Sequence, residues 1–584
     1  MKTRFGILAA TCLPLAALAQ SQEVTSETTR DRSLIVGFLE DNLSGAGRNI
    51  QIEGFKGLLS STATLDSLTI SDDTGIWFTL QDAVLDWNRS ALFSGRLEIN
   101  TVSAGSIDVL RRPILQKAQT APEATPFSLP ELPVSIDIGQ ITADNVTLGA
   151  DLLGLNEIIS LSVSGDAKLK DGDGSATLDI QRLTGPIGAF KLDTAYNNSD
   201  AHFALDLSLA EGQGGLISTL AGLPGAPDLT LVAKGAGPLD TFTAEIALTT
   251  LGQPRLSGTV GLSSVTDVVF PPEANSPIGN ETPKARAFFA DIDGDVTPLF
   301  DPDYAAFFGA SSALKVQGIS YPDGRLTLEA FEAATDALSL KGALAIGTDA
   351  LPAAFNVSGV IADRSGAPTL LPSTGDKRYL QRAEISAQYD AAKGDTWAAT
   401  ARVTDYTQSD VAIDTVDLTA TGTISRNQTA QTSTLLRALK ASIKVAADGI
   451  VLDDAALMSA IGSNVTAQTD LSWQDGTPLI IANTLIAAQD AQLTADGTLS
   501  GFDSGFTFQG NLGVAATRLA RFSALSGLKL QGGINADVTG TVAPLSGSFD
   551  ANVSGQTQNA RIGIPKVDAL LTGQSTLSLH ARRD

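Results

Sequence analysis

The sequence predicts a mainly β protein built as an elongated antiparallel sheet, with one amphipathic helix near the N-terminus and a few short helices elsewhere. Two observations predict this fold. From Ile50 onward, apolar residues recur at every second position over most of the chain. Clusters of Gly, Asp, Asn and Pro interrupt these runs at intervals of roughly 8 to 15 residues, as turns do. Strict alternation is typical of a sheet with one apolar face and one hydrated face.

Residues 1–19 are predicted to be an export signal. Lys2 and Arg4 precede an apolar run, and Ala17-Leu18-Ala19 fits a small-x-small cleavage site. The run is shorter than the ~20 apolar residues of a typical membrane span. We therefore predict cleavage before Gln20, with an uncleaved inner-membrane anchor as the alternative. We therefore predict a location in the cell envelope, in the periplasm, with a tether to the inner membrane if the segment is not cleaved.

Residues 20–49 are predicted to be a polar stretch followed by an amphipathic helix from about Arg30 to Ser44. The apolar face of this helix consists of Leu34, Ile35, Phe38, Leu39 and Leu43. Packing against the body of the protein is the favoured interpretation. Membrane-surface binding is the alternative, which Glu40 and Asp41 on the polar face weaken.

Two Pro-rich segments divide the rest of the chain. Residues 114–133 and 271–287 have no periodicity and are predicted to be loops. They separate β segments at 50–113, 134–270 and 288–584. Short helices are predicted at Asp303–Gly309, Leu435–Ala446, Asp453–Ile461 and Arg518–Leu525.

Length and charge narrow the classes of function. A chain of 584 residues is too long for one compact core, so it forms several domains or one elongated repetitive body. The formal net charge of −25 argues against a nucleic-acid partner, because a phosphate backbone requires a basic surface. The same charge discourages nonspecific adsorption to anionic membranes. The only cysteine, Cys12, lies in the signal, so the mature protein is predicted to have no disulfide or thiolate chemistry.

No residue pattern supports catalysis. The chain has two histidines, and His202 is predicted to lie on the hydrated side of an alternating strand while His580 is close to the C-terminus. Neither has the spacing of a metal site or a triad. The acidic clusters at 171–173 and 291–295 have carboxylates at calcium-loop spacing but lack the rest of the loop, so plain turns are favoured. We predict that the protein is not an enzyme and has no metal and no cofactor.

The alternating runs raise the question of what covers the apolar side of the sheet. Either the sheet folds on itself into sandwiches, or it forms a trough whose apolar inside faces a lipid, and the pattern alone favours neither. If it is a trough, the candidate lipid-groove residues are Phe203, Leu205, Leu207, Leu209, Phe242, Ile246, Leu248, Ile534 and Val538.

Several segments resemble a known family. The most specific are IEGF at 52–55, LDWNRSAL at 85–92 and RLEIN at 96–100, with GIPKVDALLTG at 563–573 near the other end. They resemble the proteobacterial translocation and assembly module subunit TamB, within the AsmA-like, bridge-like lipid-transfer group. The match touches both ends of the chain, and the middle third is compatible with it.

The resemblance implies a sheet curled into an apolar groove, β-taco-like, entered or capped by the N-terminal helix. It also implies phospholipid or acyl chains as the ligand, a role in phospholipid transport to the outer membrane, and a role in outer-membrane protein (autotransporter) assembly and protein secretion. A TamA-like outer-membrane β-barrel is the implied partner, although the family's C-terminal domain that engages it is not expected in 288–584. The alternative is a secreted repetitive β-structural or adhesin-like protein without a lipid groove.

Overall fold

The structure, a computed structural model, describes residues 49–57, 60–113, 135–265, 285–428, 435–501 and 505–583. Of these residues, 66% lie in strands and 10% in helices, so the mainly β prediction is confirmed. The predicted signal, the 114–133 loop and the amphipathic helix with Leu34, Ile35, Phe38, Leu39 and Leu43 lie outside the described residues. The predicted 271–287 loop is described only at 285–287, and those three residues begin a strand.

The chain forms two compact units, which are described separately. Among the described residues, the first unit contains 49–113, 135–167 and 182–184, and the second contains 168–181 and everything from 185 onward. Within the described residues no helix is long and apolar enough to cross a membrane.

The first unit is a small mixed sheet. Its strands pair antiparallel from β1 to β4, and β4 then pairs parallel with β5. A parallel pair needs a crossover of a dozen or more residues, which the chain between these two strands is long enough to supply. The antiparallel prediction is therefore wrong at this one pairing. The elements are β1 (Asn49–Glu53), β2 (Thr62–Asp72), β3 (Gly75–Asn88), a 3₁₀ turn (Arg89–Ser94), β4 (Arg96–Val109), β5 (Ser135–Leu148), α1 (Ala150–Leu153) and most of β6 (Ile159–Lys170).

The alternation in β3 changes phase near its middle, and the structure shows why. Asp82 has a positive φ of 52°, so the backbone turns over at this residue. The register between β3 and β2 is the same before and after Asp82, because Leu80 pairs with Leu68 and Ala83 pairs with Leu65. The alternation of apolar residues in β2 also changes phase opposite Asp82, between Leu65 and Leu68. The shift is therefore shared by neighbouring strands and is not a slip of one strand past another.

The second unit is a long antiparallel sheet. Strands β7 to β17 pair in chain order, β17 pairs with β20, and the order continues through β23, which pairs with β25, to β31. The short strands β18, β19 and β24 pair at its margin. Each strand thus follows its predecessor, which suits the short turns predicted from the sequence.

The strands of the second unit are β7 (Asp173–Arg182), β8 (Gly188–Asn197), β9 (His202–Glu211), β10 (Leu229–Pro238), β11 (Thr241–Thr250), β12 (Gln253–Val265), β13 (Ala285–Gly294), β14 (Ser312–Ser320), β15 (Leu326–Ala334), β16 (Leu338–Ile346), β17 (Pro352–Ile361), β18 (Thr369–Leu370), β19 (Tyr379–Leu380), β20 (Arg382–Asp390), β21 (Thr396–Gln408), β22 (Val411–Gln428), β23 (Leu435–Asp448), β24 (Val451–Leu452), β25 (Asn464–Gln474), β26 (Leu479–Ala488), β27 (Ala491–Ser500), β28 (Thr507–Ala516), β29 (Gln531–Ala543), β30 (Ser548–Arg561) and β31 (Gln574–Arg583). Its helices are α2 (Leu216–Leu220), α3 (Ala305–Phe308), α4 (Ala455–Ile461), α5 (Ser523–Ser526) and α6 (Pro565–Leu570), with 3₁₀ turns at Thr297–Leu299, Pro302–Tyr304 and Leu519–Phe522.

All the described helices of the second unit lie at one edge of its sheet, here called the helical edge. The long connections after β9, β13, β17, β23 and β28 all leave the sheet at this edge, because antiparallel pairing returns the chain to it at every second strand. In sheet order these connections are four strands apart. The opposite edge, here called the turn edge, carries the connections after β8 and β16, which are short, and also the long connection between β12 and β13. The sheet therefore has a four-strand repeat that the sequence did not reveal.

The predicted helix at Leu435–Ala446 is wrong, because these residues form β23. The segment is rich in Leu, Ala and Lys, which favour helices. However, Leu439, Ala441 and Ile443 also alternate, and β23 pairs along most of its length with β22 on one side and β25 on the other. Tertiary pairing therefore overrides the local preference. The other three predicted short helices are present as α3, α4 and α5, the first and third with adjoining 3₁₀ turns.

Candidate functional site

The candidate lipid-groove residues lie on one face of the second unit. Residues paired across antiparallel strands point to the same face, so the face can be followed from strand to strand. Leu205 pairs with Gly235, which pairs with Ala244, and the register continues through each following strand to β29. This face, here called the apolar face, carries all nine candidates: Phe203, Leu205, Leu207, Leu209, Phe242, Ile246, Leu248, Ile534 and Val538.

The structure does not bring these nine residues into one pocket. Seven of them lie on β9 and β11, whereas Ile534 and Val538 lie on β29. At ~4.8 Å between neighbouring strands, the two groups are about 80 Å apart along the sheet. Apolar positions on the intervening strands connect them, including Val316 on β14, Leu344 on β16 and Ile443 on β23. The candidate site is therefore an extended surface.

The apolar face is not covered as the inside of a sandwich would be. Its large side chains are mostly half-buried, and some are well exposed: Ile385 is 47% exposed, Ile486 40% and Val514 39%. In a closed sandwich the facing side chains interdigitate and lose contact with water. Among the described residues the buried hydrophobic cluster contains only Ala285, Ile319 and Tyr321. The second unit is therefore an open sheet whose apolar side is accessible.

Glycines allow aromatic rings to lie low across the apolar face. Phe203 on β9 and Phe242 on β11 have ring centroids 5.1 Å apart, although β10 runs between them. The Phe242 ring reaches over Gly235 of β10, where a Cβ atom would lie 2.9 Å from this ring. A side chain at this position would displace the Phe242 ring. The glycine therefore keeps this part of the face smooth and continuous.

Trp397 is placed in the same way. It lies on β21 and passes over Gly422 of β22, so that its indole Nε1 donates to the Lys440 carbonyl of β23 at 3.3 Å. This hydrogen bond satisfies the only polar atom of the ring while the ring itself adds apolar surface. The sequence reasoning did not single out Trp397 or Gly422. The one available signal was a glycine inside an alternating strand, which often marks a close approach.

The opposite face, here called the polar face, carries most of the described charged side chains of the second unit's strands. Its charged residues form cross-strand pairs between exposed side chains, such as Lys234 with Asp206 at 2.8 Å and Lys315 with Asp291 at 3.1 Å. Such pairs contribute about 0–1 kcal/mol each. His202 lies on this face and is exposed. Within the described residues no group of three or more His, Cys, Asp or Glu is placed to hold a metal ion.

The acidic cluster at 291–295 is divided among separate partners. Asp291 pairs with Lys315, and Asp295 lies 3.8 Å from Arg255 on another strand. His580 also has a simple partner, because its Nε2 lies 2.8 Å from Asp550 on the adjacent strand. These carboxylates do not converge on a common point. Plain electrostatic pairing therefore accounts for them.

A hollow on the polar face has a volume of 1260 Å³ and crosses the strands from β15 to β26. Its lining combines Ala, Leu and aromatic residues with polar side chains, among them Asn356, Gln388, Thr396, Thr423 and Ser442. Burying an acyl chain against such groups would remove them from water without a new hydrogen-bond partner. The polar side chains in this lining therefore make the hollow a less favourable place for an acyl chain than the apolar face.

An ion-pair cluster closes part of the apolar face at the turn edge. Arg426 binds the Asp349 carboxylate through Nε at 2.7 Å and Nη2 at 3.3 Å, and Nη2 also donates to the Pro352 carbonyl. Arg437 on the next strand donates from Nη1 to the Asp349 carbonyl at 3.0 Å. Arg426 and Arg437 are on the apolar face, so the turn after β16 lies over this face and reaches β22 and β23. Burial lowers the pKa of Arg426, but the hydrogen bond and charge of Asp349 outweigh it and leave the pKa raised.

The second arginine of this cluster supports a pH-dependence prediction. The Arg437 guanidinium and its backbone N–H both donate to Asp475, and together they lower the pKa of this carboxyl below its ordinary value. A lowered folded-state pKa gives stabilisation that is present above the unfolded pKa and is lost as pH falls through the folded value. We expect the Arg437 amide to stay protected from hydrogen exchange down to about pH 4 and to lose protection below it. Asp475→Asn should remove this acid step, and an unchanged acid step in the variant would contradict the assignment.

Comparison with known proteins adds no relative to this description. No protein family model, curated protein or solved structure matches the chain. The resemblance to TamB therefore stays a prediction that rests on the segments quoted above.

Proposed function

We propose that the protein is a non-enzymatic component of the bacterial cell envelope that binds the acyl chains of phospholipids on the apolar face of its second unit. It would act as a TamB-like conduit or scaffold in the periplasm that supports phospholipid transport to the outer membrane, outer-membrane protein assembly, or both. The observation that carries this proposal is the continuous, accessible apolar face from β9 to β29. The amphipathic N-terminal helix, the groove geometry and a TamA-like barrel partner belong to the same proposal.

The physical basis is transfer of acyl chains out of water. Each CH₂ group moved onto an apolar surface gains about 0.8 kcal/mol. The apolar face offers this gain along its whole length through similar aliphatic and small residues, so no single position holds the chain tightly. A chain bound in this way can move along the sheet by exchanging one set of contacts for an equivalent set. The polar face stays in contact with water while the apolar face binds the acyl chains.

Native mass spectrometry and lipid extraction of the chain purified from a bacterial periplasm test the proposal. We expect co-purified phospholipid with the native protein. Leu205→Asp together with Leu207→Asp places two charges on the apolar face of β9 and is expected to abolish binding next to them, because an unpaired carboxylate in an acyl environment is very costly. Ala204→Asp together with Ser208→Asp places two charges on the polar face of the same strand and is expected to retain lipid.

The comparison of these two variants separates lipid binding from general effects of charge. Circular dichroism should show a folded sheet in both. A folded native protein that carries no phospholipid, under conditions in which known lipid carriers keep theirs, would refute the proposal and favour the secreted structural or adhesin-like alternative. Equal lipid content in both variants would show that the bound lipid lies elsewhere.

A further inference from the structure

Two neighbouring connections at the helical edge expose several large apolar side chains. The connection between β28 and β29 contains Leu525, 46% exposed, and Leu528, 42% exposed. The connection between β30 and β31 contains Ile564, 47% exposed, and Leu570, 78% exposed. Exposing this much leucine and isoleucine to water has a free-energy cost unless another surface covers it for part of the time.

The two connections lie side by side. Gly563 approaches Lys529 so closely that a Cβ at position 563 would be 3.0 Å from the Lys529 Cβ. Their strands are paired as well, with Gln531 of β29 opposite Arg561 of β30. Residues 517–530 and 561–573 therefore form one surface, here called the basic–apolar patch.

The charge of this patch is opposite to that of the whole protein. It contains five cations, which are Arg518, Arg521, Lys529, Arg561 and Lys566, and one carboxylate, Asp568. Asp490 of the neighbouring connection also binds Arg518 at 2.9 Å and Arg521 at 3.4 Å. Lys529, Arg561 and Lys566 are exposed. The chain as a whole has a net charge of −25, so this concentration of positive charge beside exposed leucines contrasts with the charge of the whole protein.

We propose that the basic–apolar patch docks onto the surface of an anionic lipid bilayer. Exposed leucines insert into the boundary between headgroups and acyl chains, and neighbouring Lys and Arg side chains bind the phosphates, which is how peripheral proteins combine the two forces. A second copy of the chain is a poorer occupant, because self-association through the patch would bring like charges together. The net negative charge elsewhere would direct this edge, rather than the faces of the sheet, toward the membrane.

This inference does not require lipid on the apolar face, so it can fail or hold independently of the proposed function. The probe is vesicles of phosphatidylglycerol mixed with phosphatidylcholine, compared with vesicles of phosphatidylcholine alone, in a co-sedimentation assay with the full chain. We expect binding to the anionic vesicles only, and weaker binding at high salt because salt screens exposed charges.

Matched variants identify the surface. Lys529→Gln with Lys566→Gln should reduce binding to anionic vesicles about thirtyfold, because each cation near such a surface contributes a roughly fivefold effect. Lys529→Arg with Lys566→Arg should retain it. Leu525→Ser with Leu570→Ser should reduce binding at least tenfold through lost insertion. Leu545→Ser, at a residue 76% exposed on the turn edge, is the control and should bind as the native protein does.

Three outcomes would overturn the inference. The first is equal binding to neutral and anionic vesicles, and the second is native-like binding by the Lys→Gln pair. The third is absence of vesicle binding together with concentration-dependent self-association that Leu525→Ser with Leu570→Ser abolishes, which would assign the patch to a second copy of the chain. Because all the altered side chains are exposed, the variants are expected to fold, and unchanged thermal unfolding verifies this.

Discussion

Replacing Gly422 by Val is expected to lower the stability of the middle of the second unit by about 3 kcal/mol. The Cβ atom of any residue at this position would lie 1.9 Å from the Lys440 carbonyl oxygen and 2.7 Å from Nε1 of Trp397. Two backbones must therefore separate, and the indole must leave the position in which it donates to Lys440. A β-branched side chain makes both displacements larger. Hydrogen exchange of the amides in β21, β22 and β23 measures the loss locally, which matters because a long sheet need not unfold in one step.

Thr421→Val is the matched control for this prediction. It places the same side chain at the preceding residue, which points to the polar face and is exposed, so its effect should stay within about 0.5 kcal/mol. Gly422→Val in a Trp397→Ala background should cost less than in the native protein, since the ring no longer has to move. Equal exchange rates in Gly422→Val and Thr421→Val would show that the close approach of Trp397 does not stabilise the sheet.

Alternation predicted the secondary structure and the composition of each face well, because the period of two is a local property. The run from Phe203 to Leu209 fixes which side chains share a face of β9 without any knowledge of its neighbours. Antiparallel pairing then carries the same face to β11 and onward to Ile534 and Val538 on β29. The role of these residues as a lipid-binding surface remains a prediction.

What the sequence could not predict depends on contacts between distant residues. Arg426 and Asp349 are 77 positions apart, and no local pattern links them. The four-strand repeat was hidden because the connections at the helical edge differ in length and content, from the two short strands β18 and β19 to the helix α4. A long connection recurs after every fourth strand of the sheet, but the number of residues between one long connection and the next varies. For the same reason, a helix was expected at Leu435–Ala446, where pairing on both sides decides the outcome.

Asp349→Ala is expected to destabilise the turn after β16 and the neighbouring ends of β22 and β23 by about 3 kcal/mol. The Asp349 side chain is 11% exposed and that of Arg426 is 14% exposed, so the pair is largely removed from water. Deleting the carboxylate leaves the guanidinium with uncharged partners, including the carbonyls of Leu351 and Pro352. An uncompensated charge in such a place costs more than the ion pair contributed. Protection of residues 347–351 and 424–426 from hydrogen exchange, or from limited proteolysis at the turn, reports the effect.

The double variant Asp349→Ala with Arg426→Met gives this prediction its control. With both charges removed, the apolar Met can pack beside Tyr389 and Ile424, which are buried on the apolar face, so most of the lost stability should return. Loss of the same size in the double variant would mean that Asp349 acts through something other than its charge. If the double variant regains this stability, the ion pair between Asp349 and Arg426 holds the turn after β16 against one margin of the apolar face. Asp349→Ala should then also make this margin more accessible to acyl chains, which ties the stability of one ion pair to the lipid binding proposed for the sheet.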